Sequence, residues 1–433
     1  MESPLNPATV NDQQSKLNRT RLPTWPPPGP WTRCGRPCGS PGGGACPSRS
    51  AAVGTRWAAS SSPPAVSCWT SRPSTRSTTW ILSGLVTVEA GIFWPALMEE
   101  LDRRQPDADR PWCIRQKQTG VDRVSLGGSL AANAHGRGHT LPPLVEDVEA
   151  FTLMDAAGHL HHCSRTENAE RFALAIGGYG CFGLLLDVTL RLVRRQTVQR
   201  RVQPIAVADL IPLAEQQLDA GALYGDCQYA SHLQDPADQH AGLFSCYHPV
   251  AGPPDPVDPD LSLSAQQWTD LIRLARQDKP RAFDLYRQHY LNTDGRKYAS
   301  DRHQLSPVFD GYLAAVRHDP GQTPATEMIT EVYVAPDRLM DLLAACRRDF
   351  VQHGVDMTYG TIRLIEPDTQ TYLPWATQRW ACIVVNLHVK HDPAELDRVR
   401  RHFLRILDRT LEHDGSFYLT YHRWAHRRHL EAA

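Results

Sequence analysis

Three clusters of small residues constrain this chain more than any other feature. Ser125-Leu-Gly-Gly-Ser-Leu-Ala-Ala-Asn-Ala-His-Gly-Arg-Gly138 is the longest, with Gln118-Thr119-Gly120 before it and Ile176-Gly-Gly-Tyr-Gly-Cys-Phe-Gly183 after it. Glycine lets main-chain N–H groups approach a ligand with no Cβ in the way. Successive amides in such turns also make concavities that suit phosphate. Here the small residues carry Asn133, His135 and Arg137, polar groups able to face a heterocycle. The pattern therefore predicts a backbone wrapped around something bulky and flat, of nucleotide-cofactor size.

Around these clusters the chain reads as α+β. Val86–Ile92 alternates as a strand, and Trp94–Arg103 carries a helical apolar face at Leu97 and Leu101. Val145–Leu153 and His159–Cys163 read as a hairpin about Asp155-Ala-Ala-Gly158. Asn168–Ile176 reads as a helix stopped by Gly177, and Leu184–Arg194 as an apolar strand. Near Val198 the pattern changes and a second domain is expected. Its predicted strands are Leu223–Tyr229, Gly242–His248, Glu327–Val334, Met357–Ile365, Ala381–Val389 and Phe417–Tyr421. Its predicted helices are Ala265–Ala275, Ala282–Tyr290, Pro336–Gln352 and Pro393–Leu411. One sheet backed by helices is the implied arrangement.

The whole phrases resemble the vanillyl-alcohol-oxidase type of FAD-linked oxidases. Gly84–Ile92 is similar to the strand and turn entering that family's second lobe. Ser125–Gly128 and Ala132–His135 resemble the segments that wrap the flavin ring and diphosphate. Val145–Leu153 with Asp155 and Gly158 looks like the hairpin that follows, and Ile176–Gly183 like the closing loop. The resemblance covers roughly residues 81–433. It implies a two-lobed PCMH-type FAD-binding domain plus a C-terminal α+β substrate domain, divided as 81–197 and 198–433. It also implies noncovalent FAD, because no histidine precedes Gly84. Gln118, Thr119, Gly120, Ser125, Leu126, Gly127, Gly128, Ala132, Asn133, Ala134, His135, Gly136, Gly183, Leu184 and Tyr418 are the implied cofactor contacts. The nearest relatives by resemblance oxidise secondary alcohols of sugars, polyols or aldonolactones by hydride transfer to flavin, reoxidised by O2 or another acceptor. Relatives carrying the same flavin domain also include reductases of unsaturated substrates such as sterol side chains.

Catalytic candidates lie near the end. In related sugar oxidases a Tyr and, three residues later, a Lys stand in the segment matching Gly415–Trp424; Tyr418 matches the Tyr, and Tyr421 replaces the Lys. A tyrosine with a lowered pKa could move the substrate hydroxyl proton, assisted by His422 or Lys390. His135 is read as a donor beside flavin or substrate. Arg363 and Glu366, and Asn386 and His388, alternate with apolar residues, the pattern of strands lining a cavity. No metal is expected: glycines 136 and 138 prevent a helix from bringing His135 and His139 together, and the His159–Cys163 cluster falls on a hairpin.

Residues 1–80 do not fit. Pro26-Pro-Pro-Gly-Pro and Gly42-Gly-Gly suggest a disordered tail. Yet Trp25, Trp31, Trp57 and Trp69 sit there with Cys34, Cys38, Cys46 and Cys68. That mixture suits an out-of-frame reading of a GC-rich gene, with frame lost near residue 22 and regained just before Gly84. Such a chain lacks the first FAD lobe and is expected to be an inactive product. The ending at Ala433, soon after Trp424, also falls where relatives continue.

Net charge of −1 at pI near 7 gives no electrostatic footprint for nucleic acid or anionic membrane. No apolar run reaches the roughly 18 residues of a membrane span. Eleven cysteines without a repeated spacing fit reduced thiols in a cytoplasmic protein acting on a small-molecule substrate.

Overall fold

The computed structural model describes residues 9–10, 20–21, 77–81, 84–230, 241–258, 263–305 and 323–433. The readings of the N-terminal region, its lost frame and missing lobe included, therefore lie almost wholly outside the described residues. Two short strands there, β1 (Thr9–Val10) and β2 (Thr20–Arg21), pair with each other.

The first sheet is built from β3 (Ser77–Ile81), β4 (Leu85–Glu89), β6 (Val148–Met154), β7 (Leu160–Ser164) and β8 (Leu184–Arg191), in the order β3-β4-β8-β6-β7. All its pairings are antiparallel. The hairpin turns at Gly158, whose φ of +84° explains the glycine. Helix Trp94–Arg103 lays Trp94, Leu97, Met98 and Leu101 onto this sheet. Each such side chain contributes about 1.5–3 kcal/mol on burial. Ordered pairing begins at Ser77, four residues before the expected start at 81.

The second sheet has eight strands, all antiparallel. After β5 (Trp112–Cys113) and β9 (Val193–Arg194), which pair with each other, come β10 (Thr197–Ile205), β11 (Tyr224–Tyr229), β12 (Gly242–Val250), β13 (Lys297–Ala299), β14 (Ala325–Val334), β15 (Met357–Ile365), β16 (Trp380–Lys390) and β17 (Ser416–Phe417). Their spatial order is β13-β10-β12-β11-β15-β16-β14-β17. Along β14, Met328, Val332 and Val334 point to one face, and β16 adds Ala381, Ile383, Val385 and Leu387. Helices Leu339–His353 and Pro393–Glu412 cover that face. The period-2 alternation then sends Glu331 and Tyr333, with Trp380, Cys382 and Val384, to the opposite face.

Leu126–Ala131 is a short helix, with the Ser125 hydroxyl accepting from the Gly128 amide at 3.2 Å. One expectation needs correction. The final strand is only Ser416–Phe417 and does not run to Tyr421. Just past it the Tyr418 amide still donates to the Glu331 carbonyl at 3.2 Å, and its hydroxyl donates to the Ala132 carbonyl at 2.6 Å. The seven described cysteines are all free, and Cys181 is exposed. Among the described residues no helix is long and apolar enough to cross a membrane.

Candidate active site

The site lies where the small-residue segment 117–137 meets the open face of the eight-stranded sheet. A cavity of about 200 Å³ is lined by Thr119, Gly120, Glu331, Arg363 and Tyr421 among others. Helices Ala265–Gln277 and Lys279–Leu291 roof it with Trp268, Phe283, Tyr286 and Tyr290.

Glu331 is the centre of the polar cluster. Its Oε2 lies 3.2 Å from His135 Nε2 and accepts from the Tyr333 hydroxyl at 3.1 Å. The Tyr421 hydroxyl is a further partner. Burial pushes the Glu331 carboxyl up, but His135, Arg363 and Tyr421 outweigh it and hold the group below its ordinary value. The carboxylate is therefore ionised at neutral pH. His135 Nδ1 faces the Gly136 carbonyl at 3.0 Å. Both ring nitrogens thus lie against oxygen acceptors.

An aromatic wall closes the cluster from outside. Trp375 stands 5.4 Å from the His135 ring, 4.8 Å from Tyr333 and 5.2 Å from Tyr418. Its indole N–H donates to the Asn133 carbonyl at 2.9 Å. Asn133, at φ +44°, is held by Asp368 at 2.8 Å and by the Val145 amide at 3.0 Å. These bonds join residues 133–145 to the 366–380 connection of the second sheet.

Of the residues singled out in the sequence, Thr119, Gly120, His135, Tyr418 and Tyr421 converge here. Thr119 Oγ1 is buried without a hydrogen-bond partner beside the cavity, and Gly120, at φ +85°, has open space where a Cβ would stand. The residues at this end therefore fit the polar edge of a flat ring such as the flavin's. The neighbouring amides are already used by the protein. Leu126 N bonds Ile92 O, Gly127 N bonds Ala90 O, and Ala132 and Ala134 bond Gly128 and Ser129 carbonyls. Gln118 Oε1 accepts from Ser129. Leu126 is core. Gly136 is kept small by the Lys117 carbonyl, 2.9 Å from where its Cβ would fall. Gly183 is kept small by the Met154 carbonyl at 2.6 Å, and Leu184 pairs with Met154; neither lines the cavity. At these positions the glycines serve the chain's own packing rather than the approach of a ligand.

Other expectations shift as well. Burial and the Glu331 charge raise the Tyr421 pKa well above its ordinary value, and burial and Tyr179 do the same for Tyr418. Neither is the lowered tyrosine that a tyrosinate base requires, and both act as hydroxyl donors. Glu366 pairs with Arg379 at 3.0 Å, away from the cavity. His388 pairs with Glu327 at 2.8 Å. His422 stacks on Trp424 beside Phe403, and Lys390 is exposed at the end of β16. Arg137 is buried against Asp226 at 3.3 Å and His303 Nδ1 at 2.8 Å. His139, pushed down to about 4 by burial, stacks near Phe244. Glu331 and Cys382 went unread. The one signal for Glu331 was two carboxylates, Glu327 and Glu331, on the same face of an apolar strand.

No family model matches the chain. L-gulonolactone oxidase of Bos taurus is 32% identical over 126 residues, 29% of this chain and 27% of that protein. L-gulonolactone oxidase of Mus musculus is 36% identical over 108 residues, 25% of this chain and 23% of that one. Mitochondrial L-galactono-1,4-lactone dehydrogenase of Arabidopsis thaliana is 34% identical over 110 residues, 25% and 17% of the two chains. The matches span about a quarter or less of each relative's length. Over that stretch the chain is similar to these L-gulonolactone oxidases and to this L-galactono-1,4-lactone dehydrogenase.

Proposed function

We propose that this chain is an FAD-dependent oxidoreductase that oxidises a hydroxyl-bearing carbon of a sugar-like, polyol or aldonolactone substrate. The carrying observation is the ionised Glu331 on the cavity wall, held by His135, Tyr333 and Tyr421, in the same cavity that Thr119 and Gly120 line. Bound FAD supplies a ring that accepts hydride from substrate carbon. In this reading Thr119 and Gly120 would border that ring, and the roof of Trp268 and Phe283 would exclude water. The substrate hydroxyl meets Tyr421, whose own proton passes to the Glu331 carboxylate as Tyr421 takes the substrate's. Arg363, with its Nε buried and free of hydrogen bonds, steadies the negative charge that develops on the substrate oxygen. His135 balances the carboxylate, and Tyr418 fixes the Ala132 turn. O2 or another acceptor then takes the electrons.

The test begins with the full chain, FAD and the visible flavin spectrum. Anaerobic addition of L-gulono-1,4-lactone, L-galactono-1,4-lactone or a polyol is expected to bleach that spectrum. Glu331→Gln is expected to bind FAD and bleach about 10²- to 10⁴-fold more slowly. A chain that takes up no FAD, or equal bleaching in Glu331→Gln, refutes the reading.

A further inference from the structure

Cys382 stands against the same pair. Its Sγ lies 4.0 Å from His135 Nε2, and one ligand atom from each of His135, Glu331 and Cys382 falls within 4.8 Å of the others. All three residues are buried. We propose that His135, Glu331 and Cys382 form a site for one borderline-soft divalent cation, of which Zn2+ is the representative, with the open fourth position toward the cavity.

The spacing suits such an ion. Tetrahedral zinc with Zn–N and Zn–O near 2.0–2.1 Å and Zn–S near 2.3 Å sets N and O about 3.3 Å apart, and N and S about 3.6 Å apart. The chain already holds 3.2 Å and 4.0 Å. Closure at these two edges takes a few tenths of an ångström. The supporting bonds are also of the kind a metal centre uses. His135 Nδ1 is turned to the Gly136 carbonyl, which leaves Nε2 for the ion, and Tyr333 and Tyr421 hold the Glu331 carboxylate. Donor chemistry points the same way: imidazole, carboxylate and thiol together select zinc over calcium or magnesium, which take oxygen.

The binding claim rests on this geometry alone and stands apart from the proposed oxidation.

The experiment uses the full chain, reduced and stripped with chelator, titrated with Zn2+ by calorimetry in two buffers of different ionisation enthalpy. Co2+ serves as the spectroscopic probe. Intact chain is expected to show an equivalent bound with proton release, and a cobalt–thiolate charge-transfer band. Cys382→Ser is expected to lose that equivalent and its share of the band, with at least about tenfold weaker binding. His135→Gln, a separate lesion, is expected to lose the same equivalent, and Cys181→Ser neither. The proposal is overturned if Cys382→Ser and His135→Gln bind Zn2+ and Co2+ as the intact chain does, or if the intact chain binds neither ion.

Discussion

The His135–Glu331 pair should be worth far more to folding than a surface ion pair. His135 Nε2 and Glu331 Oε2 are 3.2 Å apart, and the two side chains are 4% and 6% exposed. A hydrogen bond to a buried carboxylate contributes about 1.5–3 kcal/mol, and a coupling of that size is expected. Removing either partner leaves the other buried and uncompensated, at about 3–5 kcal/mol for each single substitution. The assay is a double-mutant cycle of Glu331→Gln and His135→Gln by urea unfolding, read by tryptophan fluorescence, to which Trp375 beside the His135 ring contributes. The double substitution should cost less than the two singles together by the coupling energy. Acid supplies an internal control. The Glu331 pKa is lowered on folding from 4.5, so its contribution is present above 4.5 and is lost as pH falls through the folded value. Additivity of the two substitutions within about 0.5 kcal/mol at neutral pH would refute the reasoning.

Further outcomes follow from other sites. Tyr421→Phe should slow flavin bleaching about 10²-fold or more while leaving FAD affinity unchanged, because its hydroxyl faces the cavity and Glu331; unchanged kinetics would remove Tyr421 from the proton path. Tyr418→Phe loses only the 2.6 Å bond to Ala132 O and should cost about 1 kcal/mol in urea unfolding. Gly183→Ala places a Cβ 2.6 Å from the Met154 carbonyl at φ +146°, and should destabilise by roughly 1–3 kcal/mol, measured the same way. His139 falls from 6.5 unfolded to about 4 folded, so the unfolded chain binds the extra proton between those values and stability drops as pH falls from 6.5 toward 4. His139→Leu should flatten this loss by about 2–3 kcal/mol, and an identical pH profile in the variant would count against it.

Much of the fold was legible in the pattern of apolar residues. Trp94–Arg103 and Met357–Ile365 match their expected bounds, and Pro393–Glu412 and the hairpin at Gly158 nearly so. Each carries its own period or its own turn residue, which are local properties of the chain. Phe417–Tyr421 misled because alternation is the same whether a tyrosine hydroxyl faces a sheet neighbour or reaches across to Ala132.

The sequence by itself determined the alternation that gives the eight-stranded sheet one apolar and one polar face, and the glycines and Asn133 that let residues 118–138 turn tightly. It also carried the similarity to L-gulonolactone oxidases and L-galactono-1,4-lactone dehydrogenases over about a quarter of the chain. Only the tertiary structure decided which polar residues meet. His135 and Glu331 are 196 positions apart, and Cys382 and His135 are 247 apart. Nothing local in any of these segments prefers the others. They come together because two sheets pack through Trp375, Asp368 and Tyr418. Burial there then sets which groups are charged: a carboxylate held ionised by its neighbours, and tyrosines kept protonated.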